Sequence, residues 1–383
     1  MDFEDIRSYR DAEIQDALKR ICEQPRFWRA LQFVMPNVPR EALMAKLQSL
    51  KSCDEFQEKV IYNVLQQIEH TVVASLTSYG LQDLPDVPTL YITNHRDIVL
   101  DSALLNKCIV DTGRHTTEIA IGDNLLIEPW IKDLVRLNKS FIVKRGGGIR
   151  EQLTNSSQLS AYIRHDITDR GQSVWIAQRE GRAKDSDDRT QDSLLKMLAL
   201  SGEGSIPQRL SELNICPVAL SYEFDPCDYL KAQEMQQRRD NPGFKKSTDD
   251  DLRSMGTGVM GWKGRVSISA AGHLNKEIAA VEAQVSDRRQ QVEAIAKIID
   301  QAIHSHYVFY PINYVAYDML RGTDEMASHY TAADKKQAEE YFGKQLDKIQ
   351  LDNKDIDFLR QRILEMYANP LINSLCAKKT ICQ

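Results

Sequence analysis

The hydrophobic residues in the first part of the chain recur with a helical period. Between Phe56 and Leu76, six apolar residues follow one another at intervals of four. This spacing places a continuous apolar stripe along one side of a helix. Gly80 and the proline-containing loop after it end the pattern. We therefore predict that residues 1–84 are helical throughout and form an N-terminal bundle.

From Pro88 onward the pattern changes to short strand-like runs that alternate with segments of helical period. The runs are 90–93, 117–121, 140–144, 173–177, 216–223 and 265–270. Such alternation is typical of an α/β fold with a mainly parallel sheet flanked by helices. In these folds the loops at the carboxyl ends of the strands form the functional site.

These patterns divide the chain into three predicted parts. Residues 1–84 form an N-terminal helical domain, residues 85–274 form the α/β domain, and residues 275–383 form a C-terminal helical extension packed on the core. Segment 225–261 is polar and dense in charge. We expect it to be a surface excursion before the last strand.

The composition of the chain excludes several classes of function but says little about the fold. The chain has 383 residues, 27% of them charged, and a net charge of -6, which excludes a generally basic nucleic-acid-binding surface. No apolar run approaches the ~18 residues that span a bilayer, and the acidic N-terminus is unlike a signal peptide. Seven cysteines form no C-x-x-C pair, so neither a disulfide framework nor a zinc knuckle is expected. We therefore expect a cytoplasmic protein.

His95 is the first candidate for chemistry, because it lies directly after a predicted strand and before a predicted helix. A histidine that takes a proton from a hydroxyl needs a carboxylate that fixes its tautomer and stabilises the imidazolium. Asp97 and Asp101 are both candidates. Asp is a preferred helix N-cap, so we assign Asp97 to the cap and favour Asp101 as the partner. A hydrogen bond from His95 to Asp97 would reverse this assignment.

Positive charge is concentrated in the middle of the chain. Residues 132–196 contain thirteen Lys and Arg against nine Asp and Glu, although the whole chain is acidic. Lys144, Arg145 and Arg182 lie at or just after predicted strand ends, where a phosphate-bearing substrate would be attracted. The glycines at 146–148 permit close approach of a ligand to the backbone. A flexible loop is the alternative explanation for these glycines.

Four segments, in this order, resemble the four motif blocks of the glycerol-phosphate and lysophosphatidate acyltransferase superfamily. They are residues 94–101 (N-H-R-D-I-V-L-D), 141–145 (F-I-V-K-R), 180–184 (E-G-R-A-K) and 215–218 (I-C-P-V). The first segment has five residues between histidine and aspartate, where the family pattern has four. The third is one residue shorter before its arginine, so Arg179 and Arg189 remain alternatives to Arg182.

The resemblance implies a glycerol-phosphate acyltransferase-like α/β fold and transfer of a fatty acyl chain from a thioester. The donor would be acyl-coenzyme A or acyl carrier protein, and the acceptor a hydroxyl of glycerol 3-phosphate or lysophosphatidate. His95 would be the general base and Asp101 its orienting partner, with no metal and no cofactor. The substrate-binding residues would be Arg96, Lys144, Arg145, Glu180, Gly181 and Arg182. The helical N-terminal domain resembles the soluble branch, so we expect peripheral contact with the inner face of the membrane.

Two other functions remain open. An O- or N-acyltransferase of an amino-acid lipid would keep the fold and change the acceptor, but would have less use for the cationic rim. An inactive membrane-associated scaffold belongs to another class. The intact pair of His95 and Asp101 argues against the scaffold.

Overall fold

The computed structural model describes residues 2–381, apart from the side chains of Phe33, Thr380 and Ile381. At its centre lies a seven-stranded sheet with the order β1-β7-β6-β2-β5-β3-β4. The strands are β1 Ser75–Tyr79, β2 Leu90–Thr93, β3 Glu118–Gly122, β4 Ser140–Val143, β5 Val174–Ala177, β6 Ile215–Tyr222 and β7 Arg265–Ala270. All neighbouring strands are parallel except β6 and β7. The predicted α/β fold is therefore confirmed.

Helices surround this sheet on both faces. They are α1 Ile14–Cys22, α2 Pro25–Val34, α3 Arg40–Ser49, α4 Cys53–Phe56, α5 Tyr62–Val72, α6 Leu100–Asp111, α7 Pro129–Leu137, α8 Ile149–Thr168, α9 Asp192–Leu198, α10 Ile206–Ser211, α11 Asp228–Asp240, α12 Thr248–Met260, α13 Asn275–Gln284, α14 Arg288–Ser305, α15 Pro311–Arg321, α16 Ala332–Asp347 and α17 Ile356–Ile381. A π-helical turn at Gln57–Ile61 joins α4 to α5. Among the residues that the structure describes, no helix is both long and apolar enough to cross a bilayer.

The central strand β2 is buried along its whole length. Leu90 and Ile92 pack into a cluster that includes α8, α9 and α14, whereas Tyr91 packs into a second cluster with α5 and α6. Side chains of a strand alternate between its two faces, so covering both faces requires an uninterrupted apolar run. This explains why β2 shows no alternation of apolar and polar residues in the sequence.

The prediction that residues 1–84 are helical throughout is wrong at both ends, because residues 2–10 contain only turns and irregular structure and a strand lies near the other end. Helix α5 ends at Val72, and Ser75–Tyr79 forms the edge strand β1, which pairs in parallel with β7. Leu76 is half-buried and packs on the cluster beneath the sheet. A single apolar residue at this position fits the helical stripe and also fits a half-buried strand. The periodicity of the sequence therefore does not distinguish a helix from a strand here.

Segment 225–261 is a surface excursion only in part: residues 238–253 are mostly exposed, as predicted, whereas residues 225–237 are mostly buried. It contains α11 and α12, and several of its charged residues are buried. The Lys231 ammonium donates to the Asp225 carboxylate and to the carbonyl of Arg96, 3.1 Å away. Gly258 of α12 lies directly against the Asp97 carboxylate, with no room for a side chain. Paired charges therefore hold this segment against the turn that carries His95.

The C-terminal part of the chain is helical up to Ile381, as expected. Its helices pack around an aromatic cluster of their own. The hydroxyls of Tyr341 and Tyr367 donate to the buried Asp228 carboxylate over 3.0 and 2.8 Å. Burial and the nearby Asp225 nevertheless raise the pKa of Asp228 to about 7. These contacts join the C-terminal helices to α11.

Candidate active site

The candidate site lies at the carboxyl end of β2, where the turn leading to α6 is fixed by Asn94. The Asn94 amide donates to the carbonyl of Leu220 over 3.0 Å, and its oxygen accepts from the Leu220 N–H over 2.7 Å. This two-way contact ties the turn to the neighbouring strand β6. His95, the next residue, therefore starts from a fixed backbone position.

His95 is paired with Asp101, and the two atoms, Nδ1 and Oδ2, are 2.7 Å apart. The same Oδ2 accepts from the backbone N–H groups of Arg96 and Asp97 at 2.7 and 3.0 Å. Asp101 is almost fully buried, whereas the His95 ring lines a cavity. An ionised Asp101 fixes the proton on Nδ1 and leaves Nε2 free to accept a proton from a substrate. The arrangement is that of a histidine general base with its orienting carboxylate.

Asp97 binds backbone N–H groups at the start of α6, as a capping residue does, but the N-cap is Val99 and not Asp97 as predicted. Its Oδ1 accepts from the N–H groups of Val99 and Leu100, each at 2.8 Å, while α6 begins at Leu100. Burial, and then the charge of Asp101, raise the pKa of Asp97. The alternative pairing of His95 with Asp97 does not occur.

Tyr222 is a further member of this network that the sequence reasoning missed. Its hydroxyl donates to Oδ1 of Asp101 over 3.0 Å, so the carboxylate receives hydrogen bonds on both oxygens. Burial raises the pKa of Tyr222 well above its usual value, which keeps the phenol a donor. The residue belongs to the strand of the fourth motif segment. Tyr222 lies two residues after Leu220 on this strand, so its side chain is on the same face of the sheet. This spacing is the signal in the sequence that could have identified Tyr222.

Arg96 does not lie where a substrate-binding residue was expected. Its guanidinium is buried and forms two bonds to Asp188, at 3.0 and 2.6 Å, and it does not line the cavity that contains His95. Asp188 also accepts from the Tyr307 hydroxyl, and its carbonyl lies 2.7 Å from Nε2 of His304. A buried arginine is stable only with such a partner. Arg96 therefore positions the turn rather than facing a ligand.

A cavity of about 870 Å³ opens beside His95. One part, which we call the α5–α7 chamber, is lined by Ile61, Leu65, Ala103 and Leu134 together with neighbouring apolar residues. The other part, the α8–α9 chamber, is lined by Leu159, Leu194 and Met197. The volume is at the upper end of the ~300–1,000 Å³ usual for ligand sites. Its walls are mostly apolar, which suits a long hydrocarbon group.

Positively charged residues also line this cavity. Lys144 and Arg145 follow β4, and Arg179 follows β5. Because the carboxyl ends of parallel strands meet at one edge of the sheet, these residues lie on the same side as His95. Glu180 and Gly181 line the cavity as well, whereas Arg182 does not. Of the six predicted substrate-binding residues, the four at 144, 145, 180 and 181 line the cavity, and Arg96 and Arg182 do not.

The three arginines considered for the third motif segment have different surroundings. Arg179 lines the cavity, and its Nε is buried with no hydrogen-bond partner among the residues that the structure describes. Arg189 is bonded to Asp187 and Asn373, and Arg182 lies near Asp225. Of the three, Arg179 is the one that a ligand in the cavity can reach. The motif pattern favours Arg182, because its arginine follows the glutamate, whereas Arg179 precedes Glu180.

The remaining cations of the rim have weak or exposed protein partners. The Lys144 ammonium contacts the Asp5 carboxylate and lies 3.4 Å from the Gln158 amide oxygen. Nε of Arg145 is 3.6 Å from the Glu180 carboxylate, and both side chains are exposed. Exposed pairs of this kind contribute ~0–1 kcal/mol. An anionic ligand can therefore displace these carboxylates at little cost.

Comparison with known proteins now decides the family. Residues 75–221, which run from β1 through His95 almost to the end of β6, match the family model described as Acyltransferase. Residues 75–221 are an acyltransferase domain. The family predicted from the four motif segments is thereby confirmed, and all of these segments lie inside the matched residues.

No curated relative matches the chain. Among solved structures, the acyltransferase domain and its surroundings are similar to the crystal structure of the 1-acyl-sn-glycerophosphate (LPA) acyltransferase PlsC from Thermotoga maritima. That match has 11% sequence identity and a TM-score of 0.34, and it covers 74% of this chain and 97% of the other.

Proposed function

We propose that the acyltransferase domain moves an acyl chain from a thioester to a hydroxyl of a phosphorylated glycerol, either glycerol 3-phosphate or lysophosphatidate. The donor is acyl-coenzyme A or acyl carrier protein. One observation carries the proposal: His95, paired with Asp101, lies in the wall of an apolar cavity that is also lined by Lys144, Arg145 and Arg179. A base, a hydrocarbon site and a cationic rim are the three parts that this reaction needs.

The reaction follows from the orientation of the His95 ring. Nε2 takes the proton of the acceptor hydroxyl while the oxygen attacks the carbonyl carbon of the thioester, forming a C–O bond. The tetrahedral oxyanion collapses, the C–S bond breaks, and the leaving thiolate takes the proton back from the imidazolium. Asp101 stabilises the imidazolium between these two steps. No covalent acyl-enzyme is required.

The two substrates have different places in this proposal. The acyl chain of the donor lies in the α5–α7 chamber, because Val99 and Ala103 of that wall lie four and eight residues after His95 and line the same cavity. The phosphate of the acceptor binds to Lys144, Arg145 and Arg179, which together provide charge-assisted hydrogen bonds. This places the hydroxyl of the acceptor between the cations and His95.

Acceptor-dependent release of thiol tests the proposal. The purified chain is incubated with palmitoyl-coenzyme A, with and without glycerol 3-phosphate or lysophosphatidate, and free thiol is measured. We expect release only when a phosphorylated acceptor is present. Release with an amino-acid lipid and not with either phosphorylated acceptor would support the rival acyltransferase, and no release with any acceptor would contradict the proposal.

Contact with a membrane surface is part of the proposed function, and the start of α8 supports it. Ile149 is 88% and Leu153 60% exposed, and they lie one turn apart on the same side of the helix. Gln152, between them in the chain, lines the cavity, and Arg145 and Arg150 flank the two apolar residues. Apolar side chains with basic neighbours are typical of helices that lie on an anionic bilayer.

Vesicle binding tests this contact. We expect the double variant Ile149→Glu, Leu153→Glu to lose most of its binding to vesicles of phosphatidylglycerol and phosphatidylcholine. Ile356→Glu, at an exposed apolar residue of α17, is the matched control and should bind as the unchanged protein does. Equal binding of all three proteins would exclude α8 as the contact.

A further inference from the structure

Residues 2–6, which we call the strap, lie along the edge of the sheet beside β4. They form a turn, in which the N–H groups of Ile6 and Arg7 donate to the carbonyl of Phe3 over 3.0 and 2.9 Å. The carbonyl of Ile6 accepts from the N–H of Ile142 in β4 over 2.8 Å. The strap is therefore attached to the strand that leads to Lys144.

Two apolar side chains hold the strap against the core. Ile6 is 2% exposed and lines the same cavity as His95. Phe3 packs against Tyr162 of α8, with 5.3 Å between the ring centroids. Asp5 lies between these two anchors in the chain, and its side chain is 51% exposed. The backbone at Asp5 thus has a fixed position, although the carboxylate itself faces water.

This position brings the Asp5 carboxylate to one cation of the rim. Its Oδ2 contacts the Lys144 ammonium, and its Oδ1 accepts from the Gln158 amide over 2.8 Å. A group that is tied to the same chain has a constant effective concentration at its partner. Any anion that needs Lys144 therefore meets Asp5 there.

The carboxylate can leave Lys144 while the strap stays in place. Rotation of one half-exposed side chain is sufficient, and neither Phe3 nor Ile6 has to lose its contacts for it. Lys144 would keep the Gln158 amide oxygen, 3.4 Å away, as a protein partner. Exchange of Asp5 for a ligand anion is thus a local event at the end of β4.

We propose that Asp5 is an internal competitor for the phosphate of the acceptor at Lys144. This inference rests on the proposed function, because it takes Lys144 as one of the phosphate ligands. The carboxylate and the phosphate repel each other when both approach one ammonium group. Asp5 therefore weakens binding of the acceptor and determines the acceptor concentration at which the site fills.

The expected effect is small but measurable. In an exposed ion pair, the closed form outweighs the open form by about one- to fivefold. An apparent dissociation constant equals the intrinsic constant divided by the fraction of sites that are open. Removing the Asp5 charge should therefore lower the apparent dissociation constant for phosphate about two- to sixfold.

Calorimetric titration with inorganic phosphate tests this without turnover. We expect Asp5→Asn to bind phosphate about two- to sixfold more tightly than the unchanged protein. Asp2→Asn is the matched control, because it removes the same charge from the same strap. The Asp2 carboxylate accepts from the N–H of Glu4 over 2.9 Å and forms no ion pair among the described residues. Unchanged affinity in Asp5→Asn, or an equal gain in Asp2→Asn, would overturn the inference.

A double-mutant cycle shows whether Asp5 acts through Lys144. Lys144→Gln should weaken phosphate binding, and adding Asp5→Asn to that variant should then have no further effect. An equal gain from Asp5→Asn with and without Lys144 would mean that Asp5 acts only through its general charge, and the inference would be wrong.

Turnover separates this inference from the proposed function. In thiol release with palmitoyl-coenzyme A, Asp5→Asn should lower the KM of glycerol 3-phosphate or lysophosphatidate and leave kcat unchanged. A KM that stays equal or rises would overturn the inference alone. No thiol release by the unchanged protein with any acceptor would contradict the proposed function, and the phosphate titration would still decide whether Asp5 competes at Lys144.

Discussion

The turn that carries His95 and the rim that carries the cations are built in opposite ways. In the turn, Asp101 receives four hydrogen bonds and Asn94 is tied to β6 on both its amide atoms. In the rim, Arg145 and Glu180 are exposed and 3.6 Å apart, and the backbone at Gly146 and Gly147 has positive φ. Proton transfer requires a base that is already oriented, whereas a phosphate site requires cations without strong protein partners. We therefore expect residues of the turn to control kcat and residues of the rim to control the KM of the acceptor.

Replacing the base should have the largest effect. We expect His95→Ala to lower kcat on the order of 10⁴-fold, at the upper end of what general-base catalysis contributes. The KM of the acceptor should change little, because no cation of the rim is removed. Steady-state thiol release measures both constants. Turnover equal to that of the unchanged protein would show that the turn does not carry the chemistry.

Replacing the orienting carboxylate should have the next largest effect. Asp101→Asn keeps the size of the side chain and removes its charge, so the imidazolium loses its stabilising partner. We expect kcat to fall about 10²-fold. His165 and Asp169 form a similar pair, 2.8 Å apart, on the exposed surface of α8, so Asp169→Asn is the control. Equal losses in both variants would point to a general effect on stability.

A change in the rim should affect binding and not turnover. We expect Arg179→Ala to raise the KM of the acceptor about tenfold with kcat nearly unchanged, because a charge-assisted bond to phosphate contributes ~1.5–3 kcal/mol. Arg182→Ala, three residues further along the same loop, is the control and should leave KM unchanged. If Arg182→Ala raises the KM of the acceptor and Arg179→Ala does not, Arg182 is the arginine of the third motif segment that binds phosphate. Lining the cavity would then not identify the binding arginine.

The smallest effect should come from Tyr222→Phe. Without the phenol, the Asp101 carboxylate loses the hydrogen bond to its Oδ1 and holds the His95 ring less firmly. We expect a few-fold fall in kcat, measured by thiol release, with the KM of the acceptor unchanged. Tyr162→Phe removes a buried hydroxyl bonded to Glu118, away from the cavity, and should leave kcat unchanged. A kcat equal to that of the unchanged protein would remove Tyr222 from the network.

The sequence predicted the turn better than the rim for a physical reason. His95, Asp97 and Asp101 are close in the chain, so one strand-to-helix turn fixes their relations. The choice between Arg179 and Arg182 depends on which way a loop turns after β5, and motif spacing does not contain that information.

The same limit applies to the fold. The apolar runs of the sequence predict strands β2 to β7. They do not predict β1, because its apolar residue continues a helical period. Helices α11 and α12 are missed because their sequence is rich in charged residues. Lys231 is charged and yet buried, because Asp225 and the Arg96 carbonyl lie beside it. A polar sequence predicts exposure only when such partners are absent.

The bond between Arg96 and Asp188 has a consequence for any attempt to shorten the protein. All four motif segments end before residue 225, so a chain cut after β7 would retain every residue that a motif search inspects. It would lose Tyr307 and His304, which hold Asp188 from α14 and the segment after it. Asp188 would then be open to water, and Arg96, beside His95, would lose its fixed partner. If such a fragment were inactive, the cause would be the loss of contacts with the C-terminal helices. The result would say nothing about the chemistry of the motif residues.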